Sequence, residues 1–508
     1  MSTRRSLLLA PFALAAQTRT YSHRLPPSDQ NYARSSGYIE DTPIPDYRWA
    51  SAAAYERFHD MKFGVRIHWG LYSILQQRSE SWPFLKMSYA ARDKYNQMYR
   101  SWNPRNFDAN EWMSFFASAG MKMFAFTTKH HEGFSMFHTK TRVRRRIEWS
   151  APGGPRIEDC DLAYGIEETP FRRDIVKELC DAAHRHGIKI DLYFSHSDWY
   201  DADFRPYGYH PAQVPSSPQL TNAQAPQNDP PELERARGRM GSLLWTAPDP
   251  SPEETRRMLA RHRAQLLELV SNYGAIDMLC LDIWLGKTVW PELRQTLLEI
   301  RKRQPDVMLR ARGIGNYGDY YTPENFVPAG KEASDVPWFV IHKLGPSFSY
   351  EADPKKYKGA PWVIHNLIDA VAKGGNFMVG IGPDPDGRFH PTAIAQLKEV
   401  GAWLKVNGEG IYGTRARDAW KEDETVRLVR SRDSRFVYAH CLAWPGAVLR
   451  LNTVRWRKGA PIHLLGYPEA LKVQADSSGE IAVQLPEAAS RGVAGAPPIA
   501  WTVRIPVS

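Results

Sequence analysis

The chain reads as an α/β protein: a (β/α)8-like TIM barrel followed by a small antiparallel β-sandwich. Three observations predict this. From about residue 50 to 410, amphipathic helical patterns alternate with short apolar runs, as parallel strands buried on both faces require. Several of those runs end in polar residues (His68, His130 and His131, His196 and Asp198, Asp282), and a parallel barrel carries its chemistry at the carboxyl ends of its strands. After about residue 415 the texture becomes short alternating segments split by Gly, Pro and Asp, which suit an antiparallel sandwich. A doubly wound open sheet would share the local helix–strand pattern, but its Gly-rich phosphate loop is missing. The expected division is an export signal at 1–16, an extension at 17–49, the barrel at 50–414 and the sandwich at 415–508.

The N-terminus, "MSTRRSLLLAPFALAAQ", places Arg4 and Arg5 before a short apolar run ending in small residues. This is the pattern of an export signal of twin-arginine type, too short for a permanent membrane span. The expected location is outside the cytoplasm, periplasmic or secreted, with no stable membrane insertion. The barrel then opens with the strand "KFGVRIHWG". "DANEWMSFFASAG" begins with Asp108 as N-cap, stops at Gly120 and leads into "MKMFAFTTKHH". In "RDIVKELCDAAHRHG", Ile175, Val176, Leu179 and Ala183 form an apolar stripe and Gly187 ends the helix before "IKIDLYFSHSDW". "SPEETRRMLARHRAQLLELVSNYG" carries a capping box, Ser251 with Glu254, and Pro252 in its first turn. Met258, Leu259, Leu266, Leu269 and Val270 face inward, and the strand "AIDMLCLDIW" follows. Residues 204–250, rich in Pro, Gln, Asn and Ser, read as a long loop over the site mouth. In the tail, "TVRLVRS", "RFVYAHCLAW", "AVLRLNTV" and "WTVRIPV" are the sandwich strands.

Composition narrows the function classes. The 508 residues are 43% hydrophobic and 24% charged, ordinary for a soluble protein with a large core. Aromatics reach 12% with 17 Trp; this suits a carbohydrate-handling protein, because Trp and Tyr faces stack on sugar rings, and equally an aromatic-rich core. The formal charge is +10, but the only dense basic run is "RVRRRIEW", Arg142 to Trp149, which reads as a solvated surface loop. No basic helix or stripe accompanies it, so no nucleic-acid partner is expected. Cys160, Cys180, Cys280 and Cys441 show no CxxC or metal-ligand spacing, and no obligatory disulfide is expected.

The stretch "TKHHEGFSMF" sets two histidines and a carboxylate directly after a buried strand. With "KFGVRIHWGLYSI" before it and "CLDIW", "GDYYTPE" and "VAKGGNFMVGIGPDPDG" after it, it resembles glycoside hydrolase family 29, the α-L-fucosidases. The resemblance runs from about residue 55 to 415 and implies retaining release of terminal α-L-fucose. Retention needs one carboxylate to attack the anomeric carbon and a second, about 5 Å away, to protonate the leaving oxygen. Asp282, aimed into the barrel mouth by the buried run "MLCL", is by resemblance the nucleophile. Glu324 is the acid/base, with Glu332 and Glu351 in reserve, and Arg312 would keep Asp282 ionised. A working acid needs a raised pKa, so Glu324 is expected against apolar or anionic neighbours.

The resemblance also assigns His68, His130 and His131 to sugar hydroxyls. It assigns Glu80 and Trp82 likewise, although Ser81 separates them here, and gives Tyr193 and Phe348 to the pocket wall. No metal or organic cofactor is expected: no HxH or HExxH is present, and His130 and His131 cannot face one metal from a regular strand. One position departs from the family. Arg66, two residues before His68, should share its face. It either pairs with a carboxylate such as Glu80, or the sugar carries oxygen at C6, as in an α-L-galactoside. Two further readings stand beside the enzyme: a non-catalytic carbohydrate-binding relative and a metal-dependent hydrolase.

Overall fold

The computed structural model describes residues 37–76, 79–205, 207–212, 247–331, 335–477 and 479–507. The expected signal at 1–16, residues 17–36 of the expected extension, Glu332 and, of the 204–250 loop, residues 206 and 213–246 lie outside the described residues.

Helix α1 (Ala52–Met61) leads into β1 (Phe63–Ile67). Then come α2 (Tyr89–Gln97), α3 (Ala109–Ser118), β2 (Met123–Lys129), β3 (Val143–Glu148), β4 (Arg156–Leu162), α4 (Ile175–His186) and β5 (Lys189–Ser195). α5 (Pro252–Asn272), β6 (Met278–Asp282), α6 (Trp290–Arg303), β7 (Met308–Leu309), β8 (Phe339–Lys343), α7 (Ala360–Ala372), β9 (Asn376–Ile381) and α8 (Pro391–Asn407) complete the first part. The expected helix signals operate: Asp108 caps α3, Asp174 and Gly187 bound α4, and Ser251 with Glu254 forms the capping box of α5.

Seven strands form one parallel sheet in the order β7-β6-β5-β2-β1-β9-β8. The gap between β7 and β8 is filled by residues 320–324. Tyr320 bridges Arg310 beside β7, while Tyr321 and Glu324 bridge Trp338 and Ile341, all in parallel sense. This run is the barrel's eighth stave. It is irregular because Pro323 has no N–H to donate and Asn325 turns to φ 66°. Its base is pinned by Asp319, whose carboxylate accepts from Ala50 N, Tyr55 Oη, Leu309 N and the Arg301 guanidinium. Gly318 is required there: a Cβ would sit 2.4 Å from Ala311 Cα.

The barrel floor is apolar. Met123, Met278, Met308, Met378, Phe339 and Tyr320 pack inside it, and Tyr55, Phe58 and Met61 of α1 close it from below. Burying each of those α1 side chains contributes about 1.5–3 kcal/mol. Residues 37–49 also pack onto the barrel: the Tyr47 ring meets Tyr317, and Glu40 accepts from Trp290 Nε1.

One expectation is corrected here. "RVRRRIEW" is no loop. Its residues form β3, paired antiparallel with β4 in a ribbon. Its arginines are neutralised across that ribbon and by α5: Arg142 and Arg144 meet Asp161, Arg146 meets Glu158, and Arg145 meets Glu254. The acidic partners lie more than ten residues away, so the run looked like free charge.

The tail begins with β10 (Thr414–Lys421), β11 (Val426–Ser431), β12 (Phe436–Cys441) and β13 (Val448–Leu451). β14 (Ile462–Leu464), β15 (Ala470–Leu471), β16 (Val473–Ala475), β17 (Ile481–Gln484) and β18 (Trp501–Pro506) follow. They make a six-stranded sheet, β10-β11-β12-β18-β14-β15, and a three-stranded sheet, β13-β17-β16. Leu428, Val437, Leu449, Ile481 and Val503 from both sheets share one apolar core. The alternate side chains Val429 and Tyr438 join the barrel's core instead, so the larger sheet is buried on both faces. At the floor, Arg415 of β10 donates to Glu56 and Asp60 of α1, each at 2.6 Å.

Candidate active site

Period-two alternation aims every second strand residue into the barrel. Along β6, Leu279 and Leu281 join the outer core, leaving Cys280 and Asp282 inside. The same step sets Arg66 beneath His68, Asp191 beneath Tyr193 and Arg310 beneath Arg312. Arg66 Nη1 reaches Cys280 Sγ at 3.3 Å; β1 and β6 are not neighbours in the sheet, so this contact crosses the interior.

One guanidinium joins the two carboxylates at the mouth. Arg312 Nη1 donates to Asp282 Oδ1 at 3.0 Å, and Nη2 donates to Glu324 Oε2 at 2.6 Å. Asp282 Oδ2 also accepts from Tyr193 Oη at 2.7 Å, and Arg310 Nη1 stands 3.7 Å from Oδ1. Burial pushes the Asp282 carboxyl up, but Arg312, Arg310 and the Tyr193 hydroxyl outweigh it and hold the group well below the usual carboxylate range. Glu324 follows the same balance: burial raises it, while Arg312 and Arg310 together bring it below its ordinary value. Charge-assisted bonds to one planar fork fix the carboxylates' relative position. Two carboxylates across one guanidinium's width are compatible with the roughly 5–5.5 Å spacing of a retaining glycosidase.

The imidazoles stand beside this pair. His130 and His131 leave the strand at Lys129, so both rings lie together, 4.0 Å between centroids, and His68 meets His130 at 5.8 Å. Burial, with the nearby Arg66 cation, pushes His68 well below its ordinary value. Burial likewise lowers His130 to about 3 and takes His131 well down. All three are neutral rings, able to give or take a hydrogen bond with a sugar hydroxyl. Phe348 stacks on His68 at 4.8 Å. Gly380 makes room for it, since a Cβ there would sit 2.3 Å from Phe348 Cδ1. The Trp82 and His131 rings meet edge to face, 4.7 Å between centroids. Glu80 faces the loop behind, where Oε1 accepts from Ser347 Oγ, Phe348 N and Ser349 N. It holds the segment that carries Phe348. Tyr209, at the described start of the 204–250 segment, packs on Trp82 and Trp284.

A model of the family described as alpha-L-fucosidase matches residues 45–409. The chain belongs to the alpha-L-fucosidase family. Among its relatives, the human plasma alpha-L-fucosidase is 27% identical over 85% of this chain and 85% of that protein. The human tissue alpha-L-fucosidase is 26% identical over 92% and 91%. Alpha-L-fucosidase isoenzyme 1 from Paenibacillus thiaminolyticus superposes with a TM-score of 0.69 at 25% identity, covering 90% of this chain and 99% of that one. An alpha-L-fucosidase from Bacteroides thetaiotaomicron, solved as a trapped covalent intermediate, shares the fold at TM-score 0.69 and 22% identity over 91% and 99%.

Within this family frame, several expectations need correction. Arg66 does not pair with Glu80. Its guanidinium lies under the Tyr193 ring, 4.8 Å from the centroid, bonded to Cys280 and near Asp191. Glu324 lacks the raised pKa expected of an acid, because Arg312 and Arg310 outweigh burial and the Asp282 carboxylate. His196 and Asp198 share a strand end with Tyr193 but turn outward: His196 Nδ1 meets His262 Nε2 at 3.0 Å, and Asp198 pairs with Arg261 at 2.6 Å. Glu351 accepts from Asp353 N at 2.9 Å and stands 3.6 Å from Lys356. Among the described residues, no three His, Cys, Asp or Glu side chains are grouped to hold a metal ion.

Sequence reading missed three residues around the site. Ser81, noted only as an interruption between Glu80 and Trp82, places Oγ 2.5 Å from His130 Nδ1. Arg310 is a second cation near Asp282, and its period-two relation to Arg312 in "RARG" was the available signal. Asp319 stood inside "GDYYTPE", but its four partners come from distant segments and leave no local trace.

Proposed function

We propose that the chain is an exported retaining exo-glycosidase that releases terminal α-L-fucose, with Asp282 as nucleophile and Glu324 as acid/base. Asp282 attacks the anomeric carbon as Glu324, which has first to leave Arg312 and take up a proton, protonates the departing oxygen. Glu324 then takes a proton from water, which hydrolyses the glycosyl ester and restores Asp282. Each step uses side chains alone. His68, His130 and His131 grip hydroxyls, Phe348 and Trp82 line the pocket, and Glu80 acts through the 347–349 segment. The single observation carrying this is the Arg312 fork between Asp282 and Glu324, since binding alone would not require two carboxylates on one cation.

The N-terminal sequence and the plasma relatives support export, and no helix among the described residues is long and apolar enough to cross a membrane. The α-L-galactoside reading depended on an arginine facing the sugar. With Arg66 engaged beneath Tyr193, its motive is gone.

Proton NMR of the first-formed sugar from an aryl α-L-fucoside tests the proposal. The α anomer should appear first and mutarotate later. An initial β anomer would rule out the double displacement, and faster turnover of the matched α-L-galactoside would reverse the choice of sugar.

A further inference from the structure

The carboxylate in "HHEGF" takes no part in the chemistry above, yet it is placed with care. Glu132 is 2% exposed, and among the described residues its carboxylate has no hydrogen-bond partner beyond the Ser81 hydroxyl and its own backbone. It stands 3.6 Å from His130 Nδ1, and the Ser81 hydroxyl, itself 2.5 Å from that nitrogen, also acts on it. Its charge acts on Tyr72, Tyr95 and Tyr164, and the charges of Lys129 and Asp198 act on it. Among the described residues, the Tyr95 and Tyr164 hydroxyls have no direct partner.

Ser81 has one proton to give and two claimants. Its hydroxyl can donate either to the Glu132 carboxylate or to His130 Nδ1. The geometry points to Glu132 as a positioning residue that sets the tautomer of His130 through Ser81, and thereby decides whether Nε2 donates to or accepts from the sugar hydroxyl. With Glu132 neutral, its O–H donates to Ser81 Oγ, Ser81 donates to Nδ1, and the imidazole proton sits on Nε2. With Glu132 ionised, Ser81 turns to the carboxylate, the imidazole proton moves to Nδ1 by exchange with solvent, and Nε2 becomes an acceptor. The net change is one proton lost, from Glu132, while His130 stays neutral throughout. Burial pushes the Glu132 carboxyl up to about 8, so the donor form holds at neutral pH and fails in mild alkali. This rests on the fucoside-binding reading above.

The test is calorimetric binding of L-fucose between pH 6.5 and 9, with 15N NMR of His130 on the same enzyme. In the wild type, the dissociation constant should rise about tenfold across pH 8, the loss of one hydrogen bond to a hydroxyl. The His130 nitrogen pair should exchange its protonated and unprotonated shifts over the same range. Glu132→Gln, whose amide donates at every pH, should hold the low-pH affinity at pH 9. Ser81→Ala should abolish the pH step and bind more weakly throughout. L-fucose binding that is independent of pH, or a His130 tautomer constant from pH 6.5 to 9, overturns the relay. Absence of L-fucose binding at any pH would instead count against the fucosidase reading, leaving the NMR titration to decide on Glu132.

Discussion

Strand β6 and the 320–324 run each deliver a carboxylate to Arg312, and they hold it differently. β6 is a regular strand, hydrogen-bonded to both neighbours, and Asp282 at its end is met by Arg312, Tyr193 and Arg310 with only 12% of its side chain exposed. The 320–324 run touches its neighbours through isolated bridges, and Glu324, with 37% of its side chain exposed, is bonded by Arg312 alone among the cations of the described residues. A group that stays ionised until it attacks gains from several fixed donors. A group that must gain and lose a proton in each cycle needs solvent access and a partner it can leave. The regularity of each stave matches the protonation task proposed for its carboxylate.

The sharpest way to break this comparison is Asp282→Ala. Turnover should fall on the order of 10⁴-fold or more, and azide should restore part of it by attacking the vacant anomeric face. Undiminished turnover would remove the nucleophile assignment. Next, Glu324→Ala should cost about 10²–10⁴-fold on substrates with poor leaving groups and much less on dinitrophenyl glycosides, which scarcely need protonation. Equal losses on both would show that Glu324 is not the acid.

Arg312→Gln acts on both staves at once. Both carboxyls are held below their ordinary values, so their pairing contributes stability above the ordinary carboxyl range, and that contribution is lost as pH falls through the lowered values. The variant should therefore shift the acid limb of kcat/KM to higher pH. Its deficit in thermal stability should be largest near neutrality and shrink in acid. A limb that does not move would mean Arg312 does not control ionisation. The smallest effect is expected from Tyr193→Phe, which removes one of several donors to Asp282: a loss of about tenfold or less, with a slight rise in the acid limb. A loss as large as that of Asp282→Ala would contradict the redundancy of donors on β6.

The same contrast explains what was legible in the chain. Asp282 and His68 stand on or directly after regular strands, where alternation and the apolar run fix which way a side chain points, while Tyr193 came from resemblance. Their convergence could be read without coordinates. The caps at Asp108, Ser251 and Gly187 were local signals and equally plain. Glu324 came from family resemblance, because "GDYYTPE" has the texture of a loop and nothing local reveals a stave. The partners of Arg66 and of the β3 arginines were misjudged for a common reason: each is satisfied by a residue distant in sequence, through the barrel interior or across a ribbon. The lowered state of Glu324 follows from a cation twelve positions away, and nothing local in "GDYYTPE" shows that Glu324 turns toward it.

The grip of Arg415 on Glu56 and Asp60 has a practical side. The tail reaches under the barrel and bolts the helix that plugs its base, so trimming the chain near residue 410 to obtain a minimal catalytic fragment would loosen the stopper as well as uncover the apolar barrel surface on which Val429 and Tyr438 pack. Anyone building a shorter or fused version should keep this tail whole and attach cargo beyond its last strand.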